Sequence, residues 1–136
     1  MTDYDELAKE FLQNMRTIQT AGKHIQDSLR GEIFVLFFIK KMGGKAVPGQ
    51  ISSAVGVSSA RIATTLNSLE KKGLITREID SEDRRKIIVE LTKEGETHVE
   101  EERKKQMEKI KGVLSALGEE DAKELVRIVG RIGEVL

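Results

Sequence analysis

The 136-residue sequence predicts a mainly α-helical chain with one small β-hairpin, and three observations lead there. Over most of its length apolar residues recur at three- and four-residue steps, the repeat that places them on one face of a helix. One stretch, residues 74–91, changes to apolar/polar alternation, the repeat of a strand. Glycines and a single proline, Pro48, punctuate the runs where helices stop and start.

Taken in order, Tyr4, Leu7, Ala8, Phe11, Leu12, Met15 and Ile18 define an amphipathic helix over residues 4–21, which Gly22 weakens. A second helix is expected over residues 28–42. Its middle, Ile33 to Ile39, is apolar all round, as the buried centre of a fold would be, and Gly43 and Gly44 stop it. Pro48 suits the first turn of a third helix, where its missing N–H costs nothing; Val47 before it has no capping hydroxyl. Gly56 ends that helix and Ser58 caps the next, whose stripe is Ile62, Leu66 and Leu69 and whose stop is Gly73. Two short helices joined by a three-residue turn containing glycine form a helix-turn-helix. In the hairpin Ile75, Arg77 and Ile79 alternate with Thr76 and Glu78, and on the return Ile87, Val89 and Leu91 alternate with Ile88 and Glu90. The link "DSEDRR", Asp80 to Arg85, is a long polar tip. Thr92 can cap a long charged helix that becomes apolar at Ile110, Val113, Leu114 and Leu117 before Gly118 breaks it. A last helix from about Glu119 aligns Leu125, Ile128, Val129, Ile132 and Leu136.

Helix-turn-helix followed by hairpin makes a winged helix. The expected organisation is an N-terminal dimerisation helix over 1–27, a winged helix-turn-helix domain over 28–95 and C-terminal dimerisation helices over 96–136. The recognition helix would occupy about 58–72 and the wing about 74–91. Dimerisation follows from the terminal stripes, which in a single copy would expose a large apolar area, as soluble monomers rarely do. A thousand Å² of apolar surface buried between two copies is worth on the order of 25 kcal/mol before association costs.

Net charge is zero, but its distribution is uneven. Residues 45–93 hold nine Lys/Arg against six Asp/Glu, residues 94–136 eight against eleven, and the first 44 balance at six each. There is no cysteine, which excludes disulfides, thiolate chemistry and cysteine zinc sites and favours a cytoplasmic address. The longest apolar run is too short to span a bilayer and the N-terminus is acidic, unlike a signal peptide, so no membrane role is expected.

With Ile62, Leu66 and Leu69 facing a core, the opposite face of the recognition helix presents Ala60, Thr64, Asn67 and Lys71, flanked by Arg61 and Ser68, and Thr65 is a further candidate for DNA contact. Small side chains let a helix settle deep in a major groove, and hydroxyls, amides and an arginine can bond base edges or phosphates. Arg61 is the best candidate for a guanine contact, and Ser58 and Ser59 sit at the helix end that favours phosphate. At the hairpin tip Arg84, Arg85 and Lys86 crowd beside Asp83. Like charge held at a turn opposes folding unless an anion meets it, and a narrow minor groove attracts inserted arginines. A palindromic double-stranded DNA operator, met by a homodimer, is the partner this implies.

These elements resemble the MarR family of bacterial transcriptional regulators, over residues 29–117. The resemblance rests on a wing pattern, D-x-R, then a strand, then L-T-x-x-G, met by Asp83, Arg85, Leu91, Thr92 and Gly95, and on "VSSARIATTLNSLEKKGLI". Where the family has Pro or Thr early in the recognition helix, this sequence has Ala60 and Arg61. The resemblance implies that Arg85 enters the minor groove, that Asp83 orients it and that residues of 58–68 read the major groove. It also implies a regulator that represses, less often activates, and responds to a small effector in a cleft between dimer helices and reading domain. Phe11, Met15, Phe34 and Phe38 are candidates to line that cleft, although core packing explains them equally well.

Catalysis is not expected. His24 and His98 are the only histidines, and no phosphate loop or nucleophile motif is present. His98 has Glu94, Glu101 and Glu102 at helical spacing, but one imidazole on a charged helix reads as a surface residue rather than a metal ligand, and no cofactor is implied. The competing readings are a winged-helix module that docks a protein without touching DNA, and an architectural DNA binder, against which the neutral charge argues.

Overall fold

The computed structural model describes residues 1–21 and 27–136, with side-chain surroundings for 1–19 and 31–136. Gly22 and His24 lie outside the described residues. The elements are α1 (Tyr4–Ala21), α2 (Asp27–Lys41), β1 (Lys45–Ala46), α3 (Pro48–Val55), α4 (Ser59–Lys71), β2 (Ile75–Ile79), β3 (Ile87–Leu91), α5 (Lys93–Leu117) and α6 (Glu119–Val135). Asp3 starts α1, its carboxylate accepting from the N–H groups of Asp5 and Glu6.

One core lies at the centre of the chain. Val35, Leu36 and Ile39 of α2 meet Ile51 of α3, Ile62, Leu66 and Leu69 of α4, Ile75, Val89 and Leu91 of the hairpin, Ala46 of β1 and Val99 of α5. The α2 helix is therefore central, but it is not buried all round as its composition suggested. Phe34 is exposed and Phe37 and Phe38 are half-buried, because the layers packed on α2 cover only part of its circumference.

The helix-turn-helix closes at Gly56, whose φ of +75° is the left-handed conformation glycine reaches without a Cβ penalty. The Ser52 hydroxyl donates to the Val57 carbonyl across that turn at 2.6 Å. Val47 supplies no side-chain cap to α3; instead its N–H donates to Gln50 Oε1, which ties down the entry from the other direction. At α4 the Ser58 hydroxyl accepts from the Arg61 N–H, as expected of a cap.

The sheet has a strand beyond the expected hairpin, with order β1-β3-β2, all antiparallel. Lys45 pairs with Glu90 and Ala46 with Val89, while Ile75 to Ile79 pair with Leu91 to Ile87. Two residues cannot display an alternation, so β1 carried no periodic signal.

Among the described residues α1 and α6 contribute nothing to this core. The helix α6 packs along α5, whereas α1 is not among the elements that pack extensively. Leu7, Phe11, Leu12 and Ile18 of α1, Ile110 and Val113 of α5, and Leu125, Ile128, Val129 and Ile132 of α6 are all exposed in the single chain.

Candidate nucleic-acid interface

The wing tip is built by a turn. Lys86 N–H donates to the Asp83 carbonyl at 2.9 Å and Asp80 N–H to the Lys86 carbonyl at 3.0 Å, which puts Arg84 and Arg85 at the apex. The Asp83 carboxylate accepts from both the backbone N–H and the Nε of Arg85, at 3.0 and 3.2 Å. The Arg85 guanidinium lowers the pKa of the Asp83 carboxyl first, the Arg85 backbone N–H and the charge of Lys86 adding to it. Asp83 thus stays ionised and aims Arg85, whose side chain is 92% exposed. Arg84 and Lys86 are exposed beside it.

The root of the wing explains the L-T-x-x-G pattern as packing. The Thr92 hydroxyl accepts from Gly95 N–H and donates to the Gly73 carbonyl, joining the exit of α4 to the start of α5. A Cβ on Gly95 would stand 2.1 Å from the Leu74 carbonyl oxygen, so that helix and strand approach as closely as they do only because residue 95 has no side chain.

On α4 the residues Ser58, Ser59, Ala60, Arg61, Thr64, Asn67 and Lys71 are exposed. The hydroxyls of Thr64 and Thr65 donate to the carbonyls of Ala60 and Arg61, so they offer methyl groups and acceptor lone pairs outward rather than protons. Ser68 departs from the expected reading face. It is half-buried and its hydroxyl donates to Glu32 of α2 at 2.6 Å.

Sequence reasoning missed Glu32 and Arg77. Glu32 also accepts from Lys72 at 2.6 Å, fastening the end of α4 to α2. Burial pushes its carboxyl up, but the hydrogen bonds from Lys72 and Ser68 and the charge of Lys72 outweigh it, leaving the pKa below the usual glutamate value. No local pattern reveals a contact across 36 residues. Arg77 did carry a signal: it is the charged member of the series Ile75, Arg77, Ile79. Its Nη2 donates to Asn67 Oδ1 at 2.6 Å and to Glu70 Oε1 at 3.0 Å, and its N–H to Glu70 Oε2 at 3.2 Å.

Phe11 and Met15 lie on the exposed stripe of α1, Phe34 is exposed on α2, and Phe38 packs against the core. His98 is half-buried on α5, and among the described residues no three His, Cys, Asp or Glu side chains gather as a metal site would require. No described helix is long and apolar enough to cross a membrane.

A model of the MarR family matches residues 28–86, from the start of α2 to the wing tip. The HTH-type transcriptional repressor YetL of Bacillus subtilis is 28% identical over 116 residues, covering 85% of this chain and 68% of YetL. Over residues 28–86 the chain is similar to the MarR family. MarR-family proteins are transcriptional regulators, and this chain has a helix-turn-helix and wing in place. The MarR winged-helix fold extends over the whole chain. The crystal structure of B. subtilis YusO superposes with a TM-score of 0.78 at 24% identity, covering 99% of this chain and 100% of YusO. A point mutant of S. aureus MepR bound to an oligodeoxyribonucleotide superposes at 0.60 with 20% identity, covering 100% of both chains.

Proposed function

We propose that this chain is a MarR-family transcriptional regulator that acts in the cytoplasm as a homodimer. It sets two α4 helices into successive major grooves of a palindromic operator and lays two Arg85 side chains against phosphate or minor groove beside them. The observation that carries the reading is the wing tip, where an ionised Asp83 aims a bare guanidinium away from the protein between two further exposed cations. Such a tip has no internal use, and an anionic groove neutralises it. Arg61, Thr64, Asn67 and Lys71 supply the base and phosphate contacts from α4, with Ser58 and Ser59 at its positive end. The exposed apolar stripes of α1, α5 and α6 support the dimer, since soluble monomers rarely leave large apolar surfaces in water. Repression fits the likeness to YetL, and DNA contact fits that to the oligonucleotide-bound MepR mutant. A small-molecule effector would act by changing the separation of the two reading heads. Phe11, Met15 and Phe34 would reach it only where α1 of one copy closes over the other.

The experiment is a titration of the purified protein against the duplex upstream of its own coding sequence, at several salt concentrations, with mass measured in solution. Saturable binding that weakens steeply with salt, by a species of twice the chain mass, is expected. A folded protein that travels as single copies and ignores duplex DNA in dilute buffer would refute the reading and favour a protein-docking module.

A further inference from the structure

We infer that Arg77 is a positioning residue that makes Asn67 a donor-only reader of DNA, selecting guanine at one position of each half-site. The inference rests on the proposed DNA-reading role of α4 and names a specificity determinant within it.

A guanidinium has donors and no acceptor, so only the carbonyl end of the Asn67 amide can face Arg77. The observed 2.6 Å contact from Arg77 Nη2 to Asn67 Oδ1 therefore fixes which way the amide points, and its NH2 group turns toward the exposed side of α4. An unrestrained asparagine commonly reads adenine, using its oxygen for the adenine N6 amino group and its nitrogen for N7. With Oδ1 turned onto Arg77 and away from the base edge, that bidentate contact is disfavoured and the amide presents its two N–H donors. Guanine is the base whose major-groove edge carries two acceptors, O6 and N7. Stability alone gives no account of the arrangement. The Arg77–Glu70 pair is substantially exposed, and exposed pairs contribute little to folding. Glu70 has a second consequence: its carboxylate anchors Arg77 from the next turn of α4, so Arg77 is held between Asn67 and Glu70 rather than swinging into solvent.

The test is selection from random duplexes by the full-length protein, followed by affinities on a panel varied at single positions. The position that Asn67 reads is the one whose preference Asn67→Ala erases. Guanine is expected there in the wild type, and 7-deazaguanine at that place should weaken binding. Arg77→Ala should narrow the preference for guanine over adenine roughly tenfold at that position only, with the salt slope and the other positions unchanged. Arg77→Lys, which keeps a donor-only partner in place, should retain the preference. Asn67→Asp, an acceptor that still pairs with Arg77, should move it toward cytosine, and it keeps the test decisive should Arg77→Ala fold poorly. Adenine at the Asn67 position in the wild type, a guanine preference that survives Arg77→Ala or Asn67→Asp, or no position erased by Asn67→Ala would each overturn the inference while leaving DNA binding intact. Wild-type protein that selects no duplex at all would instead overturn the proposed function beneath it.

Discussion

Arg85 owes its direction to Asp83. The carboxylate takes the guanidinium Nε and the backbone N–H of the same residue, so an exposed side chain that would otherwise sample many rotamers is pre-aimed. Arg85→Ala should weaken duplex binding and lower the log–log dependence of affinity on salt by roughly one per lost phosphate contact, as read by titration at several ionic strengths. An unchanged slope would remove the wing from the interface. Glu32 acts differently, since its partners are internal. Two side-chain hydrogen bonds to a mostly shielded carboxylate imply that Glu32→Gln costs about 1–3 kcal/mol near neutral pH. Because the folded pKa lies below the unfolded value of about 4.3, the stabilisation is present above that pH and is lost as pH falls through the folded value. Urea unfolding at a series of pH values should show the gap between wild type and Glu32→Gln closing on the acid side. A gap that stays constant into acid would mean that the charge of Glu32 is irrelevant. At this scale Ser58, Asp83, Arg85 and the capping role of Thr92 were legible because each of these contacts spans at most three residues. The contacts of Ser68, Glu32 and Arg77 were not, because their partners lie on other elements.

At the scale of elements the wing depends on its root. Thr92 bridges the exits of α4 and β3, and Gly95 lets α5 begin against the Leu74 carbonyl. Gly95→Ala forces a methyl group into backbone, which cannot swing aside as a side-chain tip could. A loss of about 1–3 kcal/mol or more is expected, seen as a lower urea midpoint at unchanged slope. Wild-type stability in that variant would mean that helix and strand can separate at this junction without loss. The helix boundaries followed Pro48, Gly56, Ser58, Gly73, Thr92 and Gly118 closely, because caps and stops are local chemistry. The strand β1 escaped notice. It exists because β3 has a free edge on the side of Lys45 and Ala46, and nothing within those two residues says so. The face of α2 was likewise undetermined, since an all-apolar run looks the same from every side; packing left Phe34 outside and drew in Leu36 and Ile39.

For the whole molecule the telling contrast is between a compact core shared by α2 to β3 with one turn of α5, and terminal helices whose apolar stripes meet water. A proposed dimer resolves it. Ile128→Glu on α6 places a charge in the middle of that stripe, where burial against a partner copy would cost several kcal/mol. Sedimentation should then show a shift from two copies to one, and operator affinity should fall because half-sites are no longer bound together. A variant that stays dimeric and binds as before would place the interface elsewhere.

The sequence by itself determined the winged helix, the capped entries of α4 and α5, the cationic tip and the apolar surplus at both ends, since periodicity, caps and charge runs are properties of neighbours along the chain. Tertiary structure decided which polar groups on α4 remain available. It turned the Ser68 hydroxyl inward to Glu32 and the Asn67 carbonyl toward Arg77, leaving an amide donor outward. Hydrogen-bond partners drawn from separate elements are chosen by how those elements pack, and packing is set by the core as a whole rather than by any stretch of the sequence that contributes to it.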